Sequence, residues 1–456
     1  MKNKTKLENR GTFTGKIGFV LAAAGSAVGL GNIWRFPYLA AEYGGGIFLL
    51  IYLLLAVTLG FALMAAEILI GRKTGLSAVS AFKKLDGRFS FLGSLASIIP
   101  VIILPYYCVI GGWVMKYSAT FAFGEMNSAA ADGYFTQFIS NPVQPIGWFL
   151  LFLGVTAVVV LFGVEKGVER VSKVMMPLLV IMVMGVTAYI LCQPGALEGV
   201  KYYLVPDFNN FKATTILAAM GQLFYSMSLA MGIMITYGSY MKKDVNVESS
   251  VHNIEIFDTG IAFLAGLMIV PAVFATQGVE MSKGPGLMFM VLPKVFAKMP
   301  GGAVIGFIFF ALVFFAAITS SISLMETVVS IVKDKFKLGR KLSCAIVLAI
   351  CLILGIPSAL SNGEGILSGF KIIGFGFLDF CDFMSNSVLM PIVALITCIF
   401  IGYVLKPKAL IEEAETNGNK FKAKRLFTVV IKYVAPICIT LILIFSILEG
   451  CGVLKV

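Results

Sequence analysis

Long apolar stretches alternate along this chain with short polar or basic segments. The apolar runs fall near 16–38, 46–70, 91–122, 146–163, 172–192, 213–240, 254–276, 303–332, 342–360, 374–405 and 427–450, eleven in all. Most reach the roughly 20 residues that a helix needs to span a bilayer. The pattern predicts an all-α polytopic membrane protein with 11 transmembrane helices. The polar segment MKNKTKLENR precedes a first run without a small-residue cleavage site, so that run is expected to stay as a helix and not to be removed as a signal peptide.

Two runs are interrupted at their middle. In KIGFVLAAAGSAVGLGNIWRFPYLAAEYGGG (16–46), Gly25, Gly29, Gly31 and Asn32 break the apolar pattern, and Arg35 with Pro37 is expected to end the run. The run 213–240 has a soft polar middle at Ser226, Ser228, Ala230 and Gly232, and it opens the second half of the chain. Unwound backbone survives at membrane depth only where it lines a cavity or is buried in protein. A broken helix offers free N–H groups and a positive dipole end to an anion, and free carbonyls to a cation. An amino acid carboxylate together with sodium suits both. Small residues also serve close helix packing in membranes, and that reading stands for either segment alone. The segment ALVFFAAITSSISLM (311–325) adds Thr319, Ser320, Ser321 and Ser323 to an otherwise apolar helix, and a dehydrated Na⁺ wants such hard oxygens.

Lys and Arg cluster in alternate connections: the N-terminus, 72–88, 166–173, 242–243, 333–341 and 406–425. These are expected to face the cytoplasm. An odd helix count then leaves the N-terminus inside and the C-terminus outside a multi-pass protein of the cell (inner) membrane. The remaining connections, 123–145, 193–212, 277–302 and 361–371, hold few basic residues. The net charge of +12 therefore reflects orientation in the bilayer and not a nucleic-acid footprint. A composition 59% hydrophobic and 13% charged, with a mean hydropathy of +0.93, agrees with the runs. The eight cysteines lack C-x-x-C spacing and read as small packing residues. His252, the only histidine, has no metal or triad partners in sequence. Candidate functional charges within the apolar runs are Arg35, Glu67, Asp258, Glu326, Asp379 and Asp382, a charge costing about 2.5–3.5 kcal/mol at a helix centre on insertion scales. Arg35 and Asp382 lie near helix ends, where interfacial roles also suit them; Asp258 points to function.

The segments GSAVGLGNIWRFPYLAAEYGGGIF, GQLFYSMSLAMG, ITYGSYMKKD, DTGIAFLAGLMIVPAVFA and FFAAITSSISLME closely resemble the neurotransmitter:sodium symporter family, in its bacterial amino acid transporter branch. The likeness runs from about Arg10 to beyond Asp382. It implies a 5+5 inverted repeat with discontinuous helices 1 and 6, a transporter core over 1–405 (helices 1–5 about 16–192, helices 6–10 about 213–405), then a cytoplasmic loop and eleventh helix over 406–456. Interrupted helices at corresponding positions of two halves mark such a site, this family being among the type cases of the rule.

The resemblance also implies two sodium sites. One would use the substrate carboxylate, the Ala27 carbonyl, Asn32, Ser226 and Asp258; the other the Gly25, Val28 and Ala316 carbonyls with the Thr319 and Ser320 hydroxyls. The substrate carboxylate would meet the Gly29 amide and the Tyr107 hydroxyl, its side chain lying among Ile103, Tyr225, Ser228, Met231, Ser321 and Leu324. Arg35 and Asp382, with Gln222 nearby and Tyr225 as a lid, resemble an extracellular gate; Arg10 and Asp334, supported by Tyr240, resemble a cytoplasmic one. The chain departs from the common pattern in ending soon after an eleventh helix, in carrying Phe13 where many members have Trp, and in carrying Tyr225 where Phe is frequent.

The function implied is sodium-coupled import of a hydrophobic or aromatic L-amino acid by alternating access, without covalent chemistry. Chloride is expected not to be required, because Asp258 would supply the fixed negative charge. The partners are the amino acid, sodium ions and the lipid bilayer; no residue pattern fixes an oligomeric state. The alternative is an amino acid sensor that uses the same site without net transport, disfavoured by the short cytoplasmic connections. An intramembrane enzyme would need a nucleophile, metal or acid–base set that the chain does not assemble.

Overall fold

The first apolar run folds as two helices, α1 (Lys16–Ala27) and α2 (Gly31–Glu42), bent by 55°. They are followed by α3 (Gly46–Thr74), α4 (Gly87–Ala122), α5 (Gln144–Leu161) and α6 (Val164–Leu191). The second interrupted run gives α7 (Ala213–Ser226) and the short α8 (Ile233–Gly238). Then come α9 (Val247–Phe274), α10 (Gly302–Phe336), α11 (Arg340–Leu360), α12 (Phe377–Leu405) and α13 (Lys424–Leu448). This computed structural model describes residues 11–276 and 284–450. Met1, Arg10, Cys451 and Val456 lie outside the described residues. Among those described, nine helices are uninterrupted and apolar enough to span a membrane, and the α1/α2 pair makes a tenth. Ten of the eleven expected spans are thus seen among the described residues, and the α7/α8 pair, in two short pieces, occupies the apolar run that remains.

The burial pattern is that of a protein solvated by lipid. Asn32, Gln222, Asp258 and Glu326 are fully buried, while Leu54, Val57, Ile353 and Ile437 are exposed. Polar side chains find partners only inside the bundle, and the apolar ones face hydrocarbon. Each group of five spans opens with a broken helix, and its third member is a long scaffold helix, α4 or α10; these two pack on each other. α1 lies against α6, α9 and α10, and α8 lies against α3. The α3/α8 contact depends on glycine: a Cβ at Gly238 would run into the Ile68 backbone, and one at Gly71 into the Ile235 carbonyl.

Pro37 does not end the first run. Residues Gly31–Arg35 are π-helical and the helix continues to Glu42. In a π-turn the bonds run i→i+5, so the N–H that proline lacks falls where the bonding ladder is already shifting register. At the basic end of the bundle, the 406–425 connection does not hang free. Its helix Pro407–Ala414 docks through Glu413, which pairs with Arg72 at 3.1 Å and with Lys243, while Arg72 also donates to the Val245 carbonyl at 2.9 Å.

Candidate functional site

The two helix breaks meet at the centre of the bundle. α1 stops at Ala27, and Val28 turns to ψ 101°, so the carbonyls of the last α1 turn lose their helical partners. On the other side, Ser228 (φ 53°), Ala230 (φ 62°) and Gly232 (φ 73°) carry the chain through Met227–Gly232 in left-handed steps. A non-glycine residue held there costs of order 1–3 kcal/mol and persists only when its surroundings over-determine it. Here they do: the Ala230 N–H donates to Glu67 Oε1 at 2.6 Å, and Ser228 Oγ donates to the Ser26 carbonyl at 3.0 Å. Glu67 on α3 is buried, and it holds one break while Ser228 ties the two breaks together.

Between them lies a cavity of 40 Å³, room for about three waters. Of the residues expected to surround a substrate, Ala27, Gly29, Ile103, Tyr107, Tyr225, Ser226, Ser228, Met231 and Leu324 line it, with Asn32 and Ser320. Ser321 does not. Its hydroxyl bonds to Thr156 on α5 at 2.9 Å and to the Ile318 carbonyl at 2.9 Å. One residue along a helix is a turn of about 100°, and Ser320 and Leu324, four apart, hold the cavity face. Ser26, Ile233 and Asn386 also line the cavity and were not expected from the sequence. Asn386 had a signal, lying four residues after Asp382 on the same helix face, to which it donates at 2.7 Å.

Two sets of oxygens flank the cavity. In the first, the buried Asp258 carboxylate accepts from Asn32 Nδ2 at 2.7 Å, from Ser226 Oγ at 2.9 and 3.1 Å and from the Tyr52 hydroxyl at 3.5 Å. Asn32 Oδ1 in turn accepts from the Gly29 N–H at 3.0 Å. Tyr52 gave no sequence signal. In the second set, Ser320 Oγ lies 3.3, 3.2 and 3.1 Å from the carbonyl oxygens of Gly25, Ser26 and Val28. Thr319 Oγ1 donates to the Phe315 carbonyl at 2.9 Å and to the Ala316 carbonyl at 3.2 Å. Hard oxygens, one of them a carboxylate, without sulfur or imidazole suit an alkali cation and not a transition metal. Consistently, no cluster of His, Cys, Asp and Glu able to hold a metal occurs among the described residues.

The two ends of the cavity are closed differently. Toward Arg35, Tyr225 covers the cavity and the Arg35 guanidinium sits 5.1 Å from its ring centroid. Gly31 leaves the space this ring fills, since a Cβ there would strike it. Arg35 and Asp382 interact electrostatically but are not joined by an ion pair among the described residues. Gln222 donates to the Gly31 carbonyl at 3.0 Å. At the basic end, Tyr240 donates to Glu326 at 2.8 Å, and Glu326 pairs with Arg340. Phe13 packs edge-on against Phe19, Tyr237 and Tyr240. Asp334 accepts from the Ser77 N–H at 2.8 Å; its expected partner Arg10 lies outside the described residues.

The sequence pattern of the Sodium:neurotransmitter symporter family matches residues 10–131 and 134–452. The chain belongs to that family. The symporter is 38% identical over 434 residues to the uncharacterised sodium-dependent transporter YhdH of Bacillus subtilis (strain 168), covering 94% of this chain and 95% of the relative. It is 32% identical over 456 residues to a sodium-dependent transporter of Haemophilus influenzae, covering 96% and 99%. Its fold matches the crystal structure of MhsT in complex with L-phenylalanine with a TM-score of 0.87 and 38% identity, over 96% of this chain and 99% of that one. This symporter is thus a multi-pass, sodium-dependent membrane transporter of that fold.

Proposed function

We propose that the protein imports a hydrophobic or aromatic L-amino acid together with sodium by alternating access. The observation that carries this reading is the composition of the one cavity at the two breaks. The Gly29 and Leu30 N–H groups and the Tyr107 hydroxyl converge on one wall, where the α2 N-terminus favours an anion. Ile103, Tyr225, Met231, Ile233 and Leu324 supply an apolar remainder. Such a site takes an α-carboxylate at one end and an apolar side chain at the other. MhsT, in a complex with L-phenylalanine, supports the same substrate class.

In this reading the Asp258 set, with Asn32, Ser226, the Ala27 carbonyl and the substrate carboxylate, holds one sodium. The Thr319 and Ser320 hydroxyls with the Gly25, Val28 and Ala316 carbonyls hold a second. The free space is too small for a large side chain, so Tyr225 and Met231 move to admit one. Arg35, Gln222, Tyr225 and Asp382 gate the outer side, and Arg10, Tyr240 and Asp334 the inner side. Binding of an apolar amino acid to the purified protein is expected to require Na⁺, and linkage makes the dependence reciprocal. Leu, Phe, Tyr and Trp are expected to compete, and glutamate and dopamine are not. Equal binding in sodium and choline would overturn the sodium sites, and preference for amines or glutamate would overturn the substrate class.

The basic connections support an orientation with the N-terminus inside and the C-terminus outside. A tag placed at Val456 is expected to react with a membrane-impermeant reagent added to intact cells, and one at Met1 only after lysis. A C-terminal tag reached only from the cytoplasm would reverse that assignment.

A further inference from the structure

On the outside of the bundle, between α5, α6 and α10, runs a groove of 430 Å³. Val155 and Val159 form one wall, Val174 the other and Phe314 and Ile318 the floor, and every lining side chain except one is apolar. The groove opens outward, with Val174 65% exposed. The exception is Arg170, in the first turns of α6 and within the basic 166–173 segment. Two neighbouring cations on the groove side are committed elsewhere. Lys173 pairs with Glu169 at 2.6 Å and donates to Thr14, and Arg340 pairs with Glu326 and donates to the Val160 carbonyl at 2.9 Å. The Arg170 guanidinium has no hydrogen bond or ion pair to any described residue.

We propose that this groove binds an anionic phospholipid, with one acyl chain along Val155, Val159 and Phe314 and the phosphate on Arg170. An apolar cleft between spanning helices is filled by a lipid chain in any bilayer. An uncommitted cation at the headgroup level of the basic end then selects a headgroup whose phosphate has no amine of its own to neutralise it. Arginine suits this role because its fork engages two phosphate oxygens while its stem lies along apolar surface. Ile318, on the groove floor, immediately precedes Thr319 and Ser320, so the chain packs against the turn that carries those hydroxyls.

The test uses the full chain, reconstituted in vesicles of equal phosphatidylglycerol and phosphatidylcholine, re-extracted, and analysed for bound lipid by native mass spectrometry. Preferential retention of phosphatidylglycerol is expected. Arg170→Gln is expected to lower that preference about fivefold, Arg170→Lys to keep most of it, and Val174→Trp, which fills the groove, to lower retention with the arginine intact. Lys408→Gln, at an exposed cation of the 406–425 connection, is expected to change nothing. Equal retention by the wild type, Arg170→Gln and Val174→Trp would overturn the proposal. So would an equal loss in Lys408→Gln, which would mark bulk surface attraction. Should Arg170→Gln fail to fold, Val174→Trp decides by itself. Lipid binding is read directly, so the result does not depend on the transported substrate.

Discussion

Asp258→Ala is expected to abolish sodium-stimulated substrate binding and uptake. Asp258 is fully buried and is the one carboxylate in the flanking oxygen sets, receiving hydrogen bonds from Asn32, Ser226 and Tyr52. Its removal strands the Ser226 hydroxyl, leaves the Asn32 amide only the residue-258 backbone carbonyl at 3.1 Å, and leaves a dehydrated cation with neutral oxygens alone. Breaking a buried charge pair on one side costs about 3–5 kcal/mol, on the order of a hundredfold or more in ion affinity. Asp258→Asn separates charge from packing, because it keeps the shape and most hydrogen bonds. At 4 Å and an effective dielectric of 20, the lost attraction is about 4 kcal/mol. Uptake by Asp258→Asn is expected to be strongly reduced in chloride-free medium and to recover partly as chloride is added. Full activity of that variant without chloride, at an unchanged pH dependence, would remove the charge-balance role.

The breaks were legible because glycines, serines and an asparagine interrupt runs that otherwise have no reason to carry them. At Gly25–Asn32 and Ser226–Gly232 the cost of unpaired backbone in lipid makes any interruption informative. What followed each break was not legible. Pro37 reads as a terminator, yet the π-turn at Gly31–Arg35 carries the helix past it to Glu42. The Thr-Ser-Ser run shows hydroxyls but not their faces, and one step separates Ser320, among the α1 carbonyls, from Ser321, bonded to Thr156. Repairs made across the fold leave no local pattern. Glu67 holding the Ala230 amide lies 163 residues away from it, and Glu413 capping Arg72 lies 341 residues away. Charge within an apolar run marked Glu67 as unusual, but its partner is a backbone group that carries no sequence signature.

Gly29→Ala is expected to weaken amino acid binding sharply in a protein that still folds. The backbone at Gly29 needs no left-handed angle, so the requirement for glycine there is one of space. A Cβ at this position would lie 2.8 Å from Ser320 Oγ and 3.1 Å from the Tyr107 hydroxyl. Those are the hydroxyls assigned to the second sodium and to the substrate carboxylate, so both must shift together, and the methyl occupies the wall where the carboxylate would rest. Overpacking of this kind costs about 1–3 kcal/mol, which corresponds to a loss of roughly five- to 150-fold in affinity. Gly154→Ala on α5 is the matched control, because a Cβ there meets nothing within 4 Å. The measurement is equilibrium binding of labelled Leu or Phe to purified protein in saturating Na⁺, with thermal unfolding to verify the fold. Wild-type affinity in Gly29→Ala would mean that the carboxylate is held elsewhere, and the anion-receptive end of α2 would lose its role in recognition.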